Sequence, residues 1–162
     1  MSYKVNRIVV SIITGIVIFA AYLLYANGDA APADDDVKGW SMLILRYIVI
    51  NIIALIAIQV IFHIVYAIGI SVKSGCIDDE NIERIIESSA TEDEMDKLIE
   101  SKSNLVGYVA MGLGFFAMLI GFAFFDLSIA LALNIILAFF VIGSIMEGGV
   151  KIYFYQRGVR NG

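Results

Sequence analysis

Proline, cysteine and histidine occur once each in these 162 residues, and four long stretches hold no charged residue at all. The lone Cys76 excludes an intramolecular disulfide and a redox cysteine pair, and in the loop where it falls a reduced thiol is expected. Pro32 lies between the first two apolar stretches, so the stretches themselves are uninterrupted. There is no phosphate-cradling glycine loop, zinc spacing or nucleophile elbow, and His63 has no nucleophile at a recognisable spacing. No catalytic residue, cofactor or metal is therefore assigned, and a non-enzymatic protein is expected. A net charge of −5 and a pI near 4.7, with no clustered basic face, argue against nucleic-acid binding.

What is present is apolar. Hydrophobic residues make up 60% of the chain, charged ones 17%, and the mean hydropathy is +0.86. The uncharged runs are Ile8 to Ala26, Tyr47 to Val72, Leu105 to Phe125 and Leu127 to Met146. A hydrocarbon core of roughly 30 Å needs about 20 helical residues, and each run is about that long. Peptide groups find no partner in lipid, so the runs should be helical. The sequence predicts an all-α integral membrane protein, one domain over 1–162. Its spans are 8–26, 42–72, 104–125 and 127–155, in an antiparallel bundle, with a cytoplasmic insertion over 73–103. The first run exceeds the 7–15 residues of a secretory h-region, so it is expected to be a retained helix.

Basic residues flanking membrane helices stay on the cytoplasmic side. Lys4, Arg7, Lys73, Arg84, Lys97, Lys102, Lys151, Arg157 and Arg160 fall on one side, against Lys38 and Arg46 on the other. Both termini are therefore predicted to be cytoplasmic. Tyr22, Tyr25, Trp40, Phe124 and Phe125 are expected at the outer interface, and Tyr153, Phe154 and Tyr155 at the inner one. Arg46 is expected to snorkel outward. The outer loop carries Asp29, Asp34, Asp35 and Asp36 and reads as a solvated segment.

Helices associate in lipid through small residues that let backbones approach. Gly107, Ala110, Gly114, Ala117 and Gly121 share one arc of the third span, and the fourth offers Ala130, Asn134, Ala138 and Gly148. A very short connection predicts that these two helices pair, a homodimer through the same face being the alternative. On the second span Asn51, Gln59, His63 and Tyr66 fall on one side and should turn inward, toward Thr14, Asn134 or Tyr108, or line a wet cavity. Glu147 precedes Lys151 by one turn and is expected to pair with it, the competing partner being His63 in a pH-responsive contact.

The insertion from Gly75 to Ser103 carries ten acids and three bases. Ile82, Ile85 and Ile86 would form an apolar edge on a short helix capped by Asp79 or Asn81. Thr91 and Glu94 fit a capping box, predicting a helix that runs unbroken into the third span. Asp93, Asp96, Lys97, Glu100 and Asn104 line one side of it, an arrangement read as a solvated face or a weak cation site.

The stretch Asp93-Glu94-Met95-Asp96-Lys97-Leu98-Ile99-Glu100-Ser101-Lys102-Ser103-Asn104 resembles a D-E-x-D-x-x-I-x-x-K-S-N signature of an uncharacterised family of small four-helix bacterial membrane proteins. In that family an aromatic run also precedes Arg-Gly, similar to Tyr153-Phe154-Tyr155-Gln156-Arg157-Gly158 here. The resemblance covers the C-terminal half and implies a multi-pass bacterial inner-membrane protein, with no activity to carry over.

Three roles follow as expectations. The first is a regulatory or accessory subunit docking an unknown protein partner through Asp93, Asp96, Lys97, Glu100, Lys102 and Asn104 at the cytoplasmic face. The second is a cation- or proton-linked transporter or channel, built as a homo-oligomer around the intramembrane polar residues Asn51, Gln59, His63, Asn134, Glu147 and Lys151. The third is a lipid-binding module using a groove between the second and fourth helices.

Overall fold

The computed structural model describes residues 3–74 and 94–158. Among them are four helices, α1 (Tyr3–Ala26), α2 (Val37–Ser74), α3 (Glu94–Phe124) and α4 (Ile129–Arg157), and no strand. All four are long and apolar enough to cross a membrane. Each reaches beyond its uncharged run, because charged and amphipathic residues continue a helix as readily as apolar ones. At 1.5 Å per residue the 38 residues of α2 span about 57 Å, well over a bilayer's hydrocarbon thickness. The expected continuity of the pre-span segment with the third span is present from Glu94 onward. Thr91, Asp93, Cys76 and the Ile82, Ile85 and Ile86 edge lie outside the described residues.

The exposed surface is rich in large aliphatic side chains, and the interior is rich in aromatic and small ones. Ile, Val and Leu side chains dominate the exposed positions, whereas Tyr3, Tyr22, Trp40, Tyr47, Ala110, Ala130 and Ala132 are buried. Lipid solvates an isoleucine as well as a protein interior does, so burial favours residues offering close approach or a hydrogen bond. Tyr22 shows this best: its hydroxyl donates to Asn134 Oδ1 at 2.6 Å. Its ring packs on Tyr47 at 5.0 Å between centroids, with Leu137 and Val141 completing the cluster. Of the aromatic residues expected at the outer interface, Tyr22 and Trp40 are buried in protein, while Tyr25, Phe124 and Phe125 are exposed. Arg46 is exposed as well.

Helix α4 is the hub, touching all three others, whereas α3 approaches α4 closely and neither α1 nor α2. The glycine face of α3 meets α4 as expected: Gly107 faces Gly143 and Glu147 and Gly114 faces Phe139, while Gly121 faces Leu127 in the turn before α4. The α4 half of that pairing differs. Gly148 and Asn134 turn to α1, where they meet Ile12 and Tyr22, and Gly143 supplies the close approach to α3 instead. Because α4 has neighbours on several sides, its small residues are shared among them.

The connections are tightly specified. Trp40 Nε1 donates to Ala33 O at 3.0 Å, and Asp36 Oδ1 accepts from Gly39 N at 2.8 Å, which caps the start of α2. A Cβ on Gly39 would lie 2.2 Å from Asp36 Oδ2 and 2.9 Å from Pro32 Cβ. Gly39→Ala is therefore expected to cost more than Asp36→Ala, whose lost cap is worth about 1 kcal/mol, because the alanine must both displace the cap and push back the loop. Thermal unfolding in detergent checks the order of the two. Between α3 and α4, Asp126 takes a left-handed conformation with φ of 46°, and Ser128 Oγ accepts from Leu131 N at 3.2 Å to start α4.

Candidate functional site: a lateral groove with a charged end

Three helical stripes converge on one groove. Arg7, Ser11, Ile12 and Gly15 come from α1, Asn51, Leu55, Gln59 and His63 from α2, and Leu137, Val141, Ser144, Gly148 and Lys151 from α4, each set repeating at three- or four-residue steps. The groove encloses about 750 Å³, within the range of ligand sites. Tyr47 and the cluster around Tyr22 close one end, and charged residues crowd the other.

Five of the six intramembrane polar residues expected from the sequence line this groove: Asn51, Gln59, His63, Glu147 and Lys151. Asn134 does not, being engaged by Tyr22. The partners of the α2 stripe differ from those expected. Thr14 bonds its own helix at Val10 O, 2.9 Å away, and Tyr108 is exposed. The partners are instead on α1. Gln59 Nε2 donates to Ser11 Oγ, and the Tyr3 hydroxyl lies 2.8 Å from Nδ1 and 2.9 Å from Nε2 of His63. Tyr3 also packs on Phe62 at 5.5 Å and Tyr66 at 4.7 Å between ring centroids. Asn51 reaches only Tyr47, at 3.4 Å on its own helix. Gln59 Oε1 is buried without a hydrogen-bond donor, the one such side-chain atom among the described residues. A buried amide oxygen without a donor is costly, and this one belongs to a residue of the groove wall.

His63 and Glu147 share the groove but do not pair. Glu147 Oε1 accepts from Lys151 Nζ at 2.7 Å, the contact expected at this spacing. The Asn104 amide, oriented so that its nitrogen donates, reaches the same carboxylate oxygen at 2.9 Å. Gly107 makes room for this arrangement, since a Cβ there would stand 3.0 Å from Glu147 Oε2.

At the charged end lies a second, smaller chamber of about 120 Å³, lined chiefly by Lys4, Arg7, Asp96, Glu100, Lys151 and Tyr155. Asp96 is its anchor. Its side chain is 8% exposed, accepts from Tyr155 Oη at 2.7 Å through Oδ1 and forms an ion pair with Lys4 through Oδ2. Asp96, Ile99 and Ser103 repeat at i, i+3 and i+7, and all three are buried. Ser103 is fully enclosed and donates to Ile99 O at 2.7 Å. The signature stretch thus contains a packing face, with Lys97, Glu100 and Lys102 on its exposed side. Asp93, expected on the same side as Asp96, lies outside the described residues. Among the described residues no three acidic, histidine or cysteine side chains gather as a metal site would require.

The two chambers share Arg7, Ile8 and Lys151. In the sequence Lys4 and Arg7 stand out only as charges that orient the chain, and Tyr155 only as an interfacial aromatic. Their spacing carried a signal, because Lys4, Arg7 and Ser11 repeat at i, i+3 and i+7 and fall on one side of α1. An apolar trough ending in fixed charges suits an amphiphile, whose tail needs no polar partner and whose headgroup does. Comparison with family models, curated proteins and solved structures finds no match for this chain.

Proposed function

We propose that the chain is a non-enzymatic, multi-pass protein of a bacterial inner membrane, an N-in/C-in bundle of four helices that holds a membrane amphiphile in the groove between α1, α2 and α4. The bacterial setting rests on the resemblance around Asp93 to Asn104, and the orientation on the distribution of Lys and Arg. One observation carries the ligand reading. The groove presents a largely apolar wall and ends at Arg7, whose guanidinium has no carboxylate partner among the described residues. Glu147 and Lys151 cancel each other there, which leaves the Arg7 guanidinium to face an anionic group such as a phosphate.

The experiment is to purify the protein in mild detergent and quantify the lipid that stays with it. Gly15 lines the groove and a Cβ there would touch nothing, and Ser144 is an exposed lining residue, so both accept bulk without disturbing helix contacts. Gly15→Leu with Ser144→Leu is expected to weaken lipid retention about tenfold while leaving the melting temperature near that of the wild type. Equal retention by the double variant would overturn the reading.

Docking of a protein partner is a second role, supported by the exposed Lys97 and Lys102 on the first turns of α3. Asp96 belongs to it less well, since its carboxylate is spent on Lys4 and Tyr155. A transporter or channel is supported less by this geometry, because Gln59 and His63 are bonded across to α1.

A further inference from the structure

Resting on the groove as a lipid site, the charges around the smaller chamber narrow the class of headgroup. Lys4 and Tyr155 are committed to Asp96, and Lys151 is held by Glu147. Two charged side chains of that chamber are left, the exposed Arg7 and Glu100, opposite in sign, with no ion-pair partner among the described residues and not joined to each other. A ligand that satisfies both must itself carry an anion and a cation a short distance apart. The chamber of about 120 Å³ has room for a few waters or a small polar group.

We infer that the occupant is an aminophospholipid of the ethanolamine type, with its phosphate on Arg7 and its ammonium on Glu100. Arginine offers a planar fork of N–H donors that matches phosphate oxygens. Glutamate offers only acceptors, and a primary ammonium brings three donors. A choline headgroup brings positive charge without an N–H, and a glycerol headgroup brings hydroxyls without charge, so each fits one half of the chamber. The acyl chains lie along Ile12, Leu55 and Val141 in the larger groove, which opens from the same Arg7 and Lys151.

The test is a competition. The protein is reconstituted in vesicles holding phosphatidylethanolamine, phosphatidylglycerol and phosphatidylcholine in equal parts, re-extracted, and its retained lipid measured by native mass spectrometry. The wild type is expected to favour phosphatidylethanolamine about tenfold over either competitor. Glu100→Gln removes that preference, Arg7→Gln lowers retention of all three lipids, and Lys97→Gln, an exposed residue on the same helix, changes neither. Equal retention of the three headgroups by the wild type, or an undiminished preference in Glu100→Gln, overturns the headgroup assignment and leaves the groove standing. Retention of no lipid at all removes the groove reading itself.

Discussion

Asp96→Ala is expected to cost about 3 kcal/mol and to lower the melting temperature in detergent by roughly 5–10 °C. The carboxylate is buried, with Lys4 on one oxygen and the Tyr155 hydroxyl on the other. Removing it takes the opposing charge from an ammonium that is itself largely enclosed, its side chain being 26% exposed. Breaking one side of a buried pair usually costs about 3–5 kcal/mol, and the partial exposure of Lys4 places this case at the lower end. The position adds to the effect. Helix α3 makes no close backbone approach to α1, so the ion pair ties these two helices together where α1 begins.

Asp96→Asn separates the two contacts. The amide oxygen still accepts from Tyr155, but Lys4 loses the opposing charge of the carboxylate, so a loss of about 1–2 kcal/mol is expected. Adding Lys4→Met to Asp96→Leu should recover much of the stability, because replacing both members of a buried pair by apolar groups is often close to neutral. An Asp96→Ala protein that melts with the wild type would show that the contact is solvated and structurally idle.

The four spans were legible because charge is excluded from lipid on energetic grounds, which leaves a mark in any single sequence. The start of the first was not, since the helix continues through Lys4 and Arg7 on ordinary propensity, whereas the run from Glu94 to Asn104 into the third span was marked by the capping residues Thr91 and Glu94. The polar stripe of α2 was legible for the same reason as the spans: Asn51, Gln59 and His63 are costly to expose, so their shared side had to face protein. Which residues receive them depends on the axial register and rotation of α1, and a helical wheel carries neither. Thus Gln59 found Ser11, and His63 found Tyr3. The signature around Asp96 read as a solvated or cation-binding side because carboxylates usually are solvated. The positions of Lys4 and Tyr155, both far away in sequence, turn that carboxylate inward.

The contact between α3 and α4 gives the other large effect. A Cβ on Gly114 would stand 2.4 Å from Phe139 Cβ and 2.6 Å from its Cγ. Those atoms sit next to the α4 backbone and cannot swing aside, so the two helices must separate at that level. Gly114→Ala is expected to cost about 3 kcal/mol, the upper range for overpacking, and Gly114→Leu considerably more. Gly143→Ala should cost less, since its Cβ would meet Gly107 O at 3.0 Å, a gap that a shift of a few tenths of an ångström relieves. Gly112 lies on the same helix with nothing near its would-be Cβ. There alanine replaces a weak helix former by the best one, and Gly112→Ala should be neutral or stabilising by up to about 1 kcal/mol. Melting temperatures of the three alanine variants in one detergent would give the order Gly112, Gly143, Gly114 from most to least stable. The contrast separates close packing from helix propensity, because all three substitutions make the same chemical change and differ only in what the new methyl meets. Equal melting of Gly112→Ala and Gly114→Ala would mean that α3 does not lie against α4 along its glycines.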